Sequence, residues 1–192
     1  MRNLFLVLVQ FVILSIYAQN NPTTCIDYEK FDRKLFDSLF LTEINNNRIL
    51  DNQLPFQYDS VCSKSANYLS RYMISNESYQ YNGIMTEEFD GVLLPISNDR
   101  FEYFNMISDI PKCRQKRLES ESVFGVYIGF NSKTFNYSKL VNFLIQESIC
   151  KHFSDSIYQK FNQIDIFAGI SSEVTKTEIG YMLVVTSVIS SK

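Results

Sequence analysis

His152 is the one histidine in the chain, so any chemistry that needs an imidazole must pass through it. Cys150 stands two residues before it and Glu147 a little further upstream. A neutral imidazole can take a thiol proton, and a cysteine nucleophile with a histidine base is the chemistry these types would support. Their spacing argues against it. Val141, Leu144, Ile145, Ile149 and Phe153 recur at helical intervals between Ser138 and Phe153, and residues two apart on a helix point to different faces. No neighbouring acid is placed to orient the ring. His152 and Glu147 are therefore read as cleft-lining candidates, Glu147 with the alternative of a solvated helix acid, and no residue is assigned a catalytic role.

The other reactive side chains are Cys25, Cys62, Cys113 and Cys150. Their spacings are wide and contain no C-x-x-C, which excludes zinc-ribbon and thioredoxin-type motifs. All four are disulfide candidates if the chain is exported, with three pairings open; the alternative is buried thiols acting as small apolar residues. Asn76 and Asn136 head N-x-[ST] sequons, which matter only in a cell that glycosylates exported proteins. The charged run Lys112–Ser122 has acids Glu119 and Glu121 following its bases directly, so it reads as a solvated loop and not as a phosphate site. A formal net charge of -3 gives no electrostatic reason to propose a nucleic-acid partner.

Positioning these residues falls to one domain. The chain has 192 residues, 45% of them hydrophobic, with 16 Phe, 12 Tyr, no Trp and 6 Gly; this suits a single aromatic-filled core. Residues 1–18, MRNLFLVLVQFVILSIYA, carry Arg2, an apolar run and a small residue at Ala18 before polar Gln19 and Asn20. That is the pattern of a signal peptide, and the run is short for a membrane span, which takes about 20 apolar residues. The expectation is a secreted or periplasmic protein, not integral to a membrane once the signal is removed, with residues 19–192 as one domain.

Two helices and a connector dominate the first half. Phe31, Leu35, Phe36, Leu39, Phe40 and Ile44 give the run Tyr28–Asn46 one dry face, ending in polar Asn45, Asn46 and Asn47. Leu54, Pro55, Phe56 and Tyr58 follow as an extended connector, because proline forbids helix and extends its predecessor. Asp59 is a natural N-cap for a second helix with Val61, Cys62, Ser65, Ala66, Leu69, Tyr72 and Met73 toward the core. Further on, Gly91–Ile96 reads as a short strand, Asn98–Ile110 as a weak helix stopped by Pro111, and Val123–Phe130 as a central strand covered on both sides. Ile164–Ser171 and Ile179–Ile189 read as a hairpin around the polar SEVTKTE.

The order Ile44, Asn45, Arg48, Leu54, Pro55, Phe56, Tyr58, Asp59, Ser63, Ala66, Met73 resembles the N-terminal half of the CAP superfamily, which joins cysteine-rich secretory, antigen 5 and pathogenesis-related proteins. The stretch from Gln146 to Ser171 resembles the C-terminal half of bacterial CAP (SCP-like) domains, with His152 at the family's histidine, Phe161 at its phenylalanine and Ile164 at the start of its strand. The resemblance leaves residues 75–122 unmatched. It implies an α/β (α+β) fold, a three-layer αβα sandwich with a small antiparallel sheet, whose core takes in Leu39, Ile44, Ala66, Leu69, Val126, Ile128, Leu144, Phe161, Ile166, Val184 and Val185.

Many CAP proteins gather two histidines and two acids around a cleft that suits zinc. Here only His152 carries over, and the family's Gly-Glu-Asn falls near Gly129, Phe130 and Asn131, leaving a phenyl ring where a carboxylate belongs. Phe130 joins His152 and Glu147 as a cleft-lining candidate. No metal site and no cofactor are expected. The function expected is a non-enzymatic exported domain that binds a lipid, peptide or cell-surface ligand through a cleft; the alternative is an exported hydrolase with an unrecognised site.

Overall fold

A computed structural model of the chain describes residues 25–75, 88–89, 92–93, 117–130, 135–145 and 166–191. The elements are a 3-10 turn at Tyr28–Lys30, α1 Arg33–Leu50, β1 Gln57–Tyr58, α2 Ser60–Ser75, β2 Glu88–Phe89, β3 Val92–Leu93, β4 Arg117–Gly129, α3 Tyr137–Phe143, β5 Ile166–Lys176 and β6 Gly180–Ser191. Strands β1, β5, β6 and β4 form one sheet in that order, and β2 and β3 pair separately. The class is mixed α/β.

α1 begins later than the apolar spacing suggests because Asp32 caps it, accepting from Leu35 N–H at 3.0 Å. It also runs past the polar asparagines, since Arg48 continues its buried face with Phe36, Phe40 and Ile44. The end is a Schellman turn: Gln53 N–H bonds to Arg48 C=O and Asn52 N–H to Ile49 C=O, with Asn52 at φ 57°, a left-handed conformation that asparagine tolerates. α2 opens as expected on Asp59, whose carboxylate accepts from the amides of Val61 and Cys62, both at 3.0 Å.

Side chains on the central strands alternate between two clusters, the period-two signature of a sheet covered on both faces. Ile166, Ala168, Ile170, Leu183, Val185, Ile189 and Ile128 pack with Phe36, Phe40 and Ile44 of α1 and Leu140 and Val141 of α3. Phe167, Met182, Val184 and Val188 pack instead with Val61, Cys62, Ala66, Leu69 and Met73 of α2. Of the expected core, Ile44, Ala66, Leu69, Ile128, Leu144, Ile166, Val184 and Val185 are buried, and Leu39 and Val126 are partly buried against the first cluster. Phe161 lies outside the described residues. α2 approaches β5 so closely that a Cβ on Gly169 would sit 2.1 Å from Ser63 N, so glycine is needed there for the helix to lie on the strand.

Four expectations are corrected. The sheet is mixed, since β1 runs parallel to β5 while β5–β6 and β6–β4 are antiparallel. The central strand is β6, buried along nearly its whole length, and Val123–Phe130 forms the end of the edge strand β4 and the residue after it, with Tyr127 exposed. Arg117–Ser122 is not a loop: it pairs with Ser187–Ser191 of β6 across an irregularity between Leu118 and Ser120. Tertiary pairing overrides its charge pattern there, and charge is what edge strands commonly carry. Lastly, β5 continues through SEVTK to Lys176, because Glu173 meets Arg33 and Lys176 meets Glu29 at 3.0 Å. Val92 and Leu93 are strand as expected, while Asn98–Ile110 lies outside the described residues.

Candidate functional site

One face of α1, Lys34, Asp37, Ser38, Leu41, Thr42 and Asn45, faces the start of α2 across a groove of about 560 Å³. Phe56 and Tyr58 come from the connector, Ser63 and Asn67 from α2, and Ile170 and Ser171 from β5. This volume lies in the range of small-molecule and peptide sites. Tyr58, 68% exposed, forms its rim.

The groove keeps its shape because α1 grips the connector. Asn45 acts as a strand mimic: its Nδ2 donates to Phe56 C=O at 3.0 Å and its Oδ1 accepts from Phe56 N–H at 2.7 Å. One turn on, Arg48 is fully buried, donates from Nε to Leu54 C=O at 2.7 Å and lays its guanidinium 3.9 Å from the Phe56 ring centre. A cation over an aromatic face gains further when water is excluded. Thus Asn45, Arg48, Leu54 and Phe56, noted in the sequence for their order, act as one clamp that presents Tyr58 and Asp59.

A second grip from α1 falls on β5. Asp37 Oδ1 accepts from Ser172 Oγ at 2.6 Å, and its carboxylate also takes the Ser172 backbone N–H. Burial pushes its pKa up to about 7 against the opposing help of the Ser172 bonds and of Arg33; the charge of Glu173 pushes the same way as burial. Asp37 therefore changes charge near neutrality. Ser172 itself is fully buried, so the hydroxyl beside this carboxyl has no route to a substrate and the pair cannot serve as nucleophile and base. On the other wall, Asn67 Nδ2 donates to Ser171 Oγ at 3.1 Å.

The residues singled out from sequence are not gathered here. Phe130 follows the end of β4, the sheet edge opposite β1, is 42% exposed and meets Tyr181 edge-on at 5.5 Å. His152, Glu147, Cys113 and Cys150 lie outside the described residues. Cys25 is an exposed thiol and Cys62 a buried one, 3.2 Å from Ser190 Oγ. Among the described residues no group of three or more His, Cys, Asp or Glu side chains is placed to hold a metal ion, and no helix is long and apolar enough to cross a membrane.

Asp37, Asn67, Ile170, Ser171 and Ser172 went unremarked in the sequence. The available signal was Asp37, a carboxylate inserted beside Phe36 and one turn from Phe40 on the edge of an apolar stripe. Comparison with family models, with curated proteins and with solved structures finds no match.

Proposed function

We propose that the chain is an exported binding domain, with residues 1–18 removed and residues 19–192 forming a CAP-like three-layer αβα sandwich, that holds a ligand in the groove between α1 and α2. The observation that carries the binding reading is the groove itself, walled by amides, hydroxyls and the exposed Tyr58. A binder needs shaped walls and a few polar contacts, whereas a hydrolase needs a base with an orienting partner. The CAP reading draws on the sequence order of Asn45, Arg48, Leu54, Pro55 and Phe56, residues that lie in and around the clamp. Export is supported by the leader pattern alone. The hydrolase alternative draws on Asp37, whose carboxyl titrates near pH 7 as a general acid would; its bonds to Ser172 already account for its position.

The test is nuclear magnetic resonance of the purified chain against a chemically mixed fragment library. Shifts confined to Leu41, Asn67 and Ile170, and abolished in a groove-filling Thr42→Trp variant of unchanged circular dichroism, are expected. Shifts elsewhere only, or equal shifts in the variant, would overturn the groove reading. Intact N-terminal mass of the protein from its native cell checks the loss of the leader.

A further inference from the structure

Which way the backbone of β5 points decides what the groove can recognise. Ala168 C=O accepts from Asp59 N–H at 2.9 Å across the β1 edge, so residue 168 faces away from β6. In an antiparallel ladder the N–H and C=O of one residue point to the same side and alternate along the strand. Ile170, Ser172 and Val174 therefore face outward as well, as the Ser172 N–H bound by Asp37 independently requires. Beyond Asp59 the chain leaves the line of β1, and the first turn of α2 lies over Gly169. Asp37 occupies the edge again at Ser172. Between the two, Ile170 turns one N–H and one C=O toward the groove it lines, and among the described residues neither has a backbone or side-chain partner.

We infer that the groove takes an extended peptide, which prolongs the line of β1 and exchanges two backbone hydrogen bonds with Ile170. This rests on the groove reading above and names its ligand class. The choice follows from amide geometry. A planar trans amide points its N–H and C=O to opposite sides, so a lone acetamido group of a sugar meets only one of the two edge groups. An acyl chain meets neither. A donor and an acceptor facing the same way occur where two amides flank a Cα, which is the repeat of a peptide in β-augmentation. Its next side chains fall alternately toward Leu41 and Thr42 on α1 and toward Asn67 on α2. Asp37 limits the pairing to a single strand residue by covering the Ser172 N–H.

The experiment uses a randomised library of N-acetylated, C-amidated hexapeptides. Binders are selected on the purified chain, and the best is resynthesised with each amide N-methylated in turn. One N-methyl position is expected to weaken binding about tenfold or more, because it removes a bond and strands the Ile170 carbonyl, while flanking positions change little. Asp37→Ala, which uncovers Ser172, is expected to tighten binding several-fold and to create a second sensitive position two residues from the first. The Thr42→Trp variant is expected to lose binding. Failure to enrich any peptide on the parent chain over Thr42→Trp, or an N-methyl scan with no sensitive position, overturns the inference. If fragments still shift Leu41 and Ile170 in that case, the groove reading stands and only the peptide pairing falls.

Discussion

Asn45 and Asp37, two turns apart on α1, do the same work with different chemistry. Each reaches from one helix to an extended segment and takes over hydrogen bonds that a neighbouring strand would otherwise make. Asn45 offers a donor and an acceptor to Phe56 and needs no charge for either. Asp37 offers acceptors to Ser172 and is penalised for its charge, because burial outweighs the help of Ser172 and Arg33. The connector is thus held equally at any pH, whereas the β5 edge is held by a group whose charge changes near neutrality. The clamp is built for shape; the β5 grip is the place where the groove is adjustable.

The largest expected effect is on the clamp. Arg48→Ala removes a fully buried side chain, its bond to Leu54 C=O and its stacking on Phe56. Loss of a buried, hydrogen-bonded arginine with the cavity it leaves should cost about 3–5 kcal/mol. Urea denaturation followed by circular dichroism checks it, and a cost below about 1 kcal/mol would show that the connector does not depend on the clamp.

Asp37→Asn should act in the opposite direction and only at higher pH. The folded-state pKa lies above the usual value, so between about pH 4 and pH 7 the native chain keeps a proton that the unfolded chain releases, and parent stability falls as pH rises through that window. The gap from 3.8 to about 7 corresponds to about 4 kcal/mol as an upper bound. Asparagine mimics the protonated carboxyl. The variant should therefore match the parent at pH 4 and exceed it at pH 8, in paired urea titrations. The charged groups that act on Asp37 in this comparison are Arg33 on α1 and Glu173 on β5. A flat difference across pH would mean the carboxyl is not the titrating group.

Asn45→Ala should cost less than Arg48→Ala, about 2–3 kcal/mol, because it strands one donor and one acceptor of Phe56 that are only part-buried. Its cost should not vary between pH 4 and pH 8, the contrast that separates the two grips. A pH-dependent loss at Asn45 would erase it.

The sequence made the clamp visible and hid the β5 grip for one reason, separation along the chain. Asn45 lies eleven residues from Phe56, close enough for spacing and the proline rule to place both on neighbouring elements. Asp37 lies 135 residues from Ser172, and nothing local ties a helix acid to a serine in a distant strand. The same limit explains the strand misreadings. Arg117–Ser122 and SEVTK have the polarity of loops, and only their pairing partners, β6 and the α1 start, make them strands. Helix α2, whose information is periodic and local, was legible to its Asp59 cap, and α1 was legible as a helix although it runs Arg33–Leu50 and not Tyr28–Asn46. The cleft candidates His152 and Glu147 lie outside the described residues, and Phe130 belongs to the far edge of the sheet.

The smallest effect on stability should come from Arg33→Gln, and it bears on the β5 grip most directly. Arg33 pairs with Glu173 while half exposed, and exposed ion pairs contribute only about 0–1 kcal/mol, so the denaturation midpoint should hardly move. The electrostatics of Asp37 should move more. Arg33 favours the charged carboxylate and Glu173 opposes it; removing the cation leaves the opposing charge uncompensated and raises the Asp37 pKa above its parent value. Carbon-13 detection of the Asp37 carboxyl through a pH titration reads this without reference to stability. A titration that stays in place would show that the bonds from Ser172, and not the charges around the strand end, set the pH at which the groove changes charge. A downward move would show that Arg33 does not favour the charged Asp37 carboxylate.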